Sequence, residues 1–184
     1  MGKKIIALIL TLLILGGATA FFFIRHSMQE KAMTDRDKWE TFTHAEFTVT
    51  LPKTMKEIDD FTLTDNSMTP VAAYSTKKAG FGVSKIAYSG NYAALKDMNI
   101  KNILEKLTFN GSTLMPESTG NGGYYVTYSQ KITEKGESAT YYFVEALFKG
   151  ENAMYSATAT CRGDHLQELK PYMVQWISSF QPKN

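Results

Sequence analysis

The chain has 184 residues and a formal net charge of +2, from 20 Lys and Arg residues and 18 Asp and Glu residues. The charges are scattered, so nothing resembles the basic stripe of a nucleic-acid-binding protein or an acidic tail. Cys161 is the only cysteine in the sequence, which excludes an intramolecular disulfide.

An uncharged, mostly apolar segment occupies positions 5–24 near the amino terminus. A helix of this length covers about 30 Å, the thickness of the hydrocarbon core of a bilayer. We therefore expect a cytoplasmic N-terminus at 1–4, a transmembrane signal anchor at 5–24 and a juxtamembrane tether at 25–40. The remaining residues, 41–184, have the length of one extracytoplasmic domain.

Two alternatives to this anchor remain open. Cleavage of a signal peptide after Ala20 would produce a secreted protein, although the apolar segment continues beyond that position to Ile24. The cations Lys3 and Lys4 favour a cytoplasmic N-terminus, with the domain outside. Cations also follow the apolar segment, so the difference between its two flanks is modest and the opposite orientation stays open. No cysteine lies near the segment, which excludes a lipoprotein anchor.

Alternating apolar and polar residues predict several strands in the outer domain. The predicted strands are 47–52, 71–76, 81–89, 112–116, 124–132, 138–149 and 154–161. Helical spacing of apolar residues predicts one helix from Ile100 to Leu107 and another from Leu166 to Phe180. Short connections between the last three strands indicate antiparallel hairpins.

The strand at 138–149 is apolar on both faces, which is typical of a sheet that is covered on both sides. Its neighbour carries small side chains such as Ala157 and Ala159 on one face, leaving room for the C-terminal helix. The predicted fold class is therefore α+β, a mainly antiparallel sheet covered by helices, preceded by one transmembrane helix.

Few residues qualify for a functional site. Cys161 and His165 are close in sequence, but a zinc site needs three or four protein ligands, and cysteine hydrolases take their histidine from a distant segment. We predict a buried, unreactive Cys161, and no catalytic residue, metal site or cofactor. Asp164 belongs to an Arg-Gly-Asp tripeptide, and we predict that it is a helix cap, in a capping box with Gln167, rather than an adhesion site.

Tyrosines are frequent in the predicted strands, where packing alone favours them. Tyrosine is also favoured in binding surfaces because its rigid ring loses little entropy on ordering. Tyr125 is opposite in phase to Tyr124, Val126 and Tyr128. We therefore expect Tyr125 to face away from the main core, and it is the candidate partner-binding residue.

The order of these elements resembles that of the PsbP-like family, named after an extrinsic subunit of photosystem II. The resemblance covers roughly residues 40–182, and its two short signatures are Phe47-Thr48-Val49-Thr50-Leu51-Pro52 and Trp176-Ile177-Ser178-Ser179-Phe180. It implies an α/β/α sandwich, an exported or tethered protein, and action by binding partners rather than by catalysis. It places no functional residue on this chain.

The sequence thus predicts a membrane-anchored, extracytoplasmic, non-catalytic module that binds a protein partner or an unidentified ligand and no nucleic acid. One alternative is an accessory subunit of a membrane complex that acts through its transmembrane helix, where Gly16 and Gly17 offer a surface of small residues. A secreted ligand-binding protein is another. An enzyme that uses Cys161 and His165 is the third.

Overall fold

Residues 32–59, 61–63, 68–106, 108–109, 112–134 and 137–183 are described by the computed structural model of the chain. The predicted spanning segment at 5–24, the first part of the predicted tether and Leu107 lie outside these residues. No helix within the described ranges is long and apolar enough to cross a membrane.

Five strands follow one another in the described part of the first half of the chain, and three long strands lie in the second half. In the described residues the strands are β1 (Trp39–Thr43), β2 (Phe47–Pro52), β3 (Lys56–Glu57), β4 (Thr69–Ser75), β5 (Ala79–Ala87), β6 (Thr108–Phe109), β7 (Ser112–Thr113), β8 (Glu117–Ser118), β9 (Tyr124–Glu134), β10 (Glu137–Lys149), β11 (Ala153–Arg162) and β12 (Gln181–Pro182). The α-helices are α1 (Ile100–Leu104) and α2 (Leu166–Ser179), and short 3-10 helices cover Arg36–Lys38, Gly90–Lys96 and Gly163–His165.

A seven-stranded antiparallel sheet is the centre of the fold. Its strand order is β3-β4-β5-β11-β10-β9-β8, so the three long strands that the sequence predicts lie side by side. A smaller sheet has the order β1-β2-β12, and β6 pairs with β7 in a separate hairpin. All of these pairings are antiparallel, which confirms the predicted mainly antiparallel α+β class.

One face of the large sheet is covered by α2 and by β2 of the smaller sheet. Ala157 and Ala159 of β11 lie in the same buried cluster as Met173 and Trp176 of α2. The small side chains allow the helix to approach the sheet closely, as predicted, and burial of its apolar stripe stabilises this face together with the apolar residues of β2. This cluster is called the helix-side core below.

The opposite face carries a second cluster, called the second core. In it, Ile103 and Leu104 of α1 and Leu95 of the 3-10 helix Gly90–Lys96 cover the sheet. Phe143 and Leu147 of β10 belong to this second core, whereas the alternate residues of β10 belong to the helix-side core. Strand β10 is therefore buried on both faces, which confirms the layering predicted from its sequence.

The fold begins earlier in the chain than the sequence indicates. Met33 is buried in the helix-side core, and the indole N–H of Trp39 donates to the Met33 carbonyl oxygen at 3.2 Å. The described part of the predicted tether, 32–40, is thus packed on the domain. Strand β1 was not predicted, because it is half exposed and lacks a clear apolar alternation; it pairs with β2 along its whole length.

Candidate binding groove

A groove of about 190 Å³ lies on the helix side of the large sheet, between α2 and the strands β9 and β10. Leu166, Lys170 and Met173 line it from the helix, since residues at this spacing lie on one helix face. Thr127 and Ser129 line it from β9. The groove therefore combines an apolar wall with the hydroxyl groups of Thr127 and Ser129, a tyrosine, Tyr142, and the ammonium group of Lys170.

The groove exists because α2 covers only part of the sheet. The helix packs on β11, β10 and β2, and β9 lies one strand farther out. In the register of the sheet, Thr127 pairs with Val144 and Ser129 pairs with Tyr142. All four residues line the groove, so they lie where α2 leaves the sheet uncovered. Thr127, Ser129 and Tyr142 are half-buried, as residues of an open groove should be.

The electrostatic character of the groove comes from Lys170, which is exposed at its rim. An ammonium group beside apolar side chains can bind a carboxylate whose apolar part enters the groove. A cavity of about 150 Å³ holds one benzene ring, so a groove of this volume has room for one large apolar side chain. Chemically, the groove suits recognition of an anionic, partly apolar ligand.

Tyr125 lies on the same face of β9 as Thr127 and Ser129, but its ring is buried in the helix-side core and is only 7% exposed. Its hydroxyl donates to Glu117 Oε2 at 2.8 Å. The prediction that Tyr125 faces away from the core is therefore wrong, because β9 is covered on both faces near its beginning. Its role in partner binding is not tested by this burial and stays a prediction.

Asp164 does not cap a helix with its side chain. It lies within the 3-10 helix Gly163–His165, and neither that helix nor α2 has a side-chain cap hydrogen bond at its N-terminus. Its exposed carboxylate instead lies 3.7 Å from Arg162 Nε and 3.9 Å from His165 Nε2. The predicted cap and capping box are wrong because the extra 3-10 turn places Asp164 inside the first turn rather than before it.

Cys161 is buried at the end of β11, as predicted. Burial and the nearby Asp164 carboxylate raise the pKa of its thiol to about 12, so the nucleophilic thiolate is disfavoured at neutral pH. His165 contacts Asp164 rather than the thiol. Among the described residues, no three His, Cys, Asp or Glu side chains gather where a metal ion could bind.

The most unusual polar group in the described part of the chain is Glu145, which lies in the second core in the middle of β10 and is 2% exposed. Tyr128 Oη donates to Glu145 Oε2 at 2.8 Å, and Ser156 Oγ donates to Oε1 at 3.0 Å. Burial raises the pKa of Glu145 to about 7, although both hydrogen bonds act to lower it. The group can therefore hold a proton near neutral pH.

Sequence reasoning missed both the groove and Glu145. The groove depends on which strands α2 covers, and this is set by contacts between segments far apart in the chain. Glu145 did carry a signal, since it is the one charged residue between Phe143 and Leu147 on a strand that is apolar on both faces. A carboxylate at such a position must be buried with partners or protonated.

The sequence matches no protein-family model and no curated protein sequence. Several solved structures are similar in fold. One, from Bacteroides thetaiotaomicron VPI-5482, is 12% identical with a TM-score of 0.46, and the match covers 80% of this chain and 49% of that chain. This chain thus spans about half the length of that relative.

The solved structures also include a cyanobacterial PsbP, CyanoP, from Synechocystis sp. PCC 6803, which is 10% identical with a TM-score of 0.42. That match covers 86% of this chain and 98% of that chain. LpqN, involved in cell envelope biogenesis of Mycobacterium tuberculosis, is 9% identical with a TM-score of 0.36 over 79% of this chain and 91% of its own. A weak resemblance to PsbP-like proteins is thus supported, and similarity at this level assigns no activity, ligand or partner.

Proposed function

We propose that the protein is a membrane-anchored, extracytoplasmic, non-catalytic module that binds a partner protein through the groove between α2 and β9. The observation that carries the proposal is the groove itself, with its apolar wall of Leu166 and Met173 and the exposed cation of Lys170 at the rim. These are the features of a recognition site: a concave apolar centre with a polar rim.

Membrane anchoring rests on the sequence of residues 5–24, which are uncharged and long enough to span a bilayer. The cations Lys3 and Lys4 support an N-terminus inside and a domain outside. A domain held near the surface meets its partner at a raised effective concentration, so a small groove with modest intrinsic affinity can still be occupied.

The non-catalytic character is supported by the state of the two residues that an enzyme would use. The Cys161 thiol is buried with a raised pKa, so its thiolate is disfavoured, and His165 lies 3.9 Å from Asp164 rather than against this thiol, which it therefore does not activate. Glu145 is protonated over part of the neutral range, but it lies in the second core, on the far side of the sheet from the groove.

Filling the groove tests the proposal. Ser129→Trp places a large ring where the partner should bind, and Glu151→Trp, in the exposed turn between β10 and β11, is the matched control. We expect Ser129→Trp to move the full chain from a larger complex to its own size when gently solubilised membranes are run on a native gel. The control should remain in the complex, and both variants should keep the parent melting temperature.

The same measurement decides between this proposal and an accessory subunit that acts through its membrane helix. In a second chain, residues 1–24 are replaced by an unrelated anchor. If the groove carries binding, this chain stays in the complex; if the helix carries binding, it leaves. A complex that survives Ser129→Trp and disappears with the exchanged anchor would contradict the proposal.

A further inference from the structure

Strand β9 has one edge that is mostly unpaired in the described part of the chain. It is the second strand from the end of the large sheet, and the terminal strand β8 pairs only with its first two residues, Tyr124 and Tyr125. Strand β9 continues to Glu134, so the segment 126–134 has a neighbour, β10, on one side and no described strand on the other. Such an edge is a template for another strand.

The hydrogen-bonding direction along this edge follows from the turn between β8 and β9. The Thr119 N–H donates to the Gly123 carbonyl oxygen at 3.1 Å, so the polar groups of Gly123 point towards β8. Because this direction alternates along an antiparallel strand, Thr127, Ser129 and Lys131 point their N–H and C=O groups away from β10. These groups are the ones that an added strand would use.

The open edge and the groove are continuous. Residues whose polar groups share one direction also carry their side chains on one face, and Thr127 and Ser129 of this set line the groove. A strand added to the edge would lie about 4.8 Å from β9, and its alternate side chains would face the open mouth of the groove. The edge would supply hydrogen bonds, and the groove would select one side chain.

The two cations nearest the groove, Lys131 and Lys170, favour an acidic occupant there, whereas Glu134 lies at the far end of the strand. Lys131 and Lys170 are exposed, and among the described residues neither forms an ion pair. A second copy of the chain at the same edge would bring both lysines of each copy into one interface, which like-charge repulsion and lysines on an edge strand disfavour. A segment with carboxylates near its groove-binding side chain has the complementary charge.

We infer that β9 binds an extended, acidic segment of the partner protein by strand addition, with one large apolar side chain of that segment in the groove. This inference rests on the proposed function and specifies the partner's chemistry: a stretch in β conformation, an aromatic or long aliphatic residue, and carboxylates beside it. Strand addition is a general mode of peptide recognition, in which main-chain bonds give affinity and pockets give specificity.

The probe is an acetylated peptide of about nine residues, which is the length of the open edge. It has a phenylalanine at its centre, threonine and valine at alternate positions, and a glutamate near each end. It is titrated against the full chain in lipid nanodiscs, and backbone hydrogen exchange is measured with and without peptide. We expect slower exchange at the amides of Thr127, Ser129 and Lys131. A peptide whose edge-facing amides are N-methylated keeps its side chains and should not bind.

Ser129→Pro removes an N–H that points outwards, so the pairing with β10 is preserved. Ser129→Ala is its matched reference, since it also lacks the hydroxyl but keeps the N–H. We expect the peptide to bind Ser129→Pro about tenfold more weakly than Ser129→Ala. This is roughly the effect of losing one hydrogen bond, together with the steric hindrance of the proline ring. Lys170→Glu should weaken binding about tenfold and reduce its salt dependence.

Three results would each overturn strand addition: equal binding of the N-methylated peptide, equal affinity of Ser129→Pro and Ser129→Ala, or self-association of the chain through this edge in place of peptide binding. If one of these occurs while Ser129→Trp still disrupts the native complex, the groove binds its partner without an added strand and the proposed function stands. If Ser129→Trp has no effect either, both are wrong.

Discussion

At the scale of single residues, Glu145 is the one buried carboxylate among the described residues, and it lies near the middle of β10. Glu145 is enclosed by Phe143, Leu147 and the elements that cover the second core. Its two hydrogen bonds, from Tyr128 and Ser156, satisfy the carboxylate only partly. Removal from water is the larger effect, and it raises the pKa to about 7.

This shift makes the stability of the domain depend on pH. The folded state holds the proton of Glu145 up to about pH 7, whereas the unfolded chain releases it near the ordinary value of 4.5. The free energy of unfolding should therefore fall as pH rises from about 4.5 to about 7, by about 3 kcal/mol in total. Glu145→Gln, which carries no charge at any pH, should lose this dependence.

The measurement is urea unfolding of the full chain at several pH values between 4.5 and 8, with Glu117→Gln as the matched control. Glu117 also accepts a hydrogen bond from a tyrosine, but it is exposed, so the control should keep the pH dependence of the parent chain. If Glu145→Gln and Glu117→Gln give the same change of stability with pH, Glu145 does not carry the effect.

The two residues whose predicted positions are wrong show the limits of local pattern. The phase of Tyr125 predicts a position away from the core, but both faces of β9 are covered at its beginning. The sequence around Asp164 predicts a cap, because the 3-10 turn before α2 leaves no mark in the sequence. Apolar periodicity shows which residues share one face of a strand or helix. It does not show where a strand becomes covered or where a helix begins.

At the scale of elements, the contact between α2 and β11 holds the helix in the position that leaves β9 open. Ala157 and Ala159 are fully buried beneath this helix, and Trp176 of α2 lies in the same cluster. A tightly packed contact of this kind has little room for added atoms.

Ala159→Leu should therefore lower the free energy of unfolding by about 1–3 kcal/mol, the usual effect of overpacking a core. Ala87→Leu, at an exposed position at the end of β5, is the matched control and should stay within about 0.5 kcal/mol. Trp39 and Trp176, whose ring centroids are 6.1 Å apart, provide a fluorescence signal from this layer for the measurement in urea. A large loss in the control, or none in Ala159→Leu, would contradict this packing.

Most of the elements could be predicted because each long strand carries its own pattern. The ranges of β9, β10 and β11 agree with the sequence to within two residues, and the two apolar faces of β10 predicted both layers. The groove and the open edge could not be predicted in this way. They depend on the strand order and on how far α2 reaches across the sheet, and no local pattern encodes either of these.

At the scale of the whole molecule, the predicted membrane anchor and the groove belong to two different parts of one chain. The sequence of residues 5–24 supports a membrane anchor, and the groove beside β9 supports a binding role for the outer domain. Under the proposed function, the partner would then be reached from the outer side of the membrane.

One chemical crosslinking measurement tests both parts at once. A cysteine is introduced at Thr133, an exposed position on β9 beyond the groove, and, as the control, at Glu151. A membrane-impermeant maleimide that carries a photoreactive group is added to intact cells, and the adducts are counted after irradiation. Native Cys161 does not interfere, because it is buried and its pKa is raised to about 12.

We predict that both introduced cysteines react with the reagent, that Thr133→Cys gives a discrete adduct with one partner protein, and that Lys170→Glu reduces the yield of this adduct. Glu151→Cys should react without forming it. An absence of reaction at both positions would contradict the outward location of the domain, and equal adducts from both positions would contradict binding at the groove.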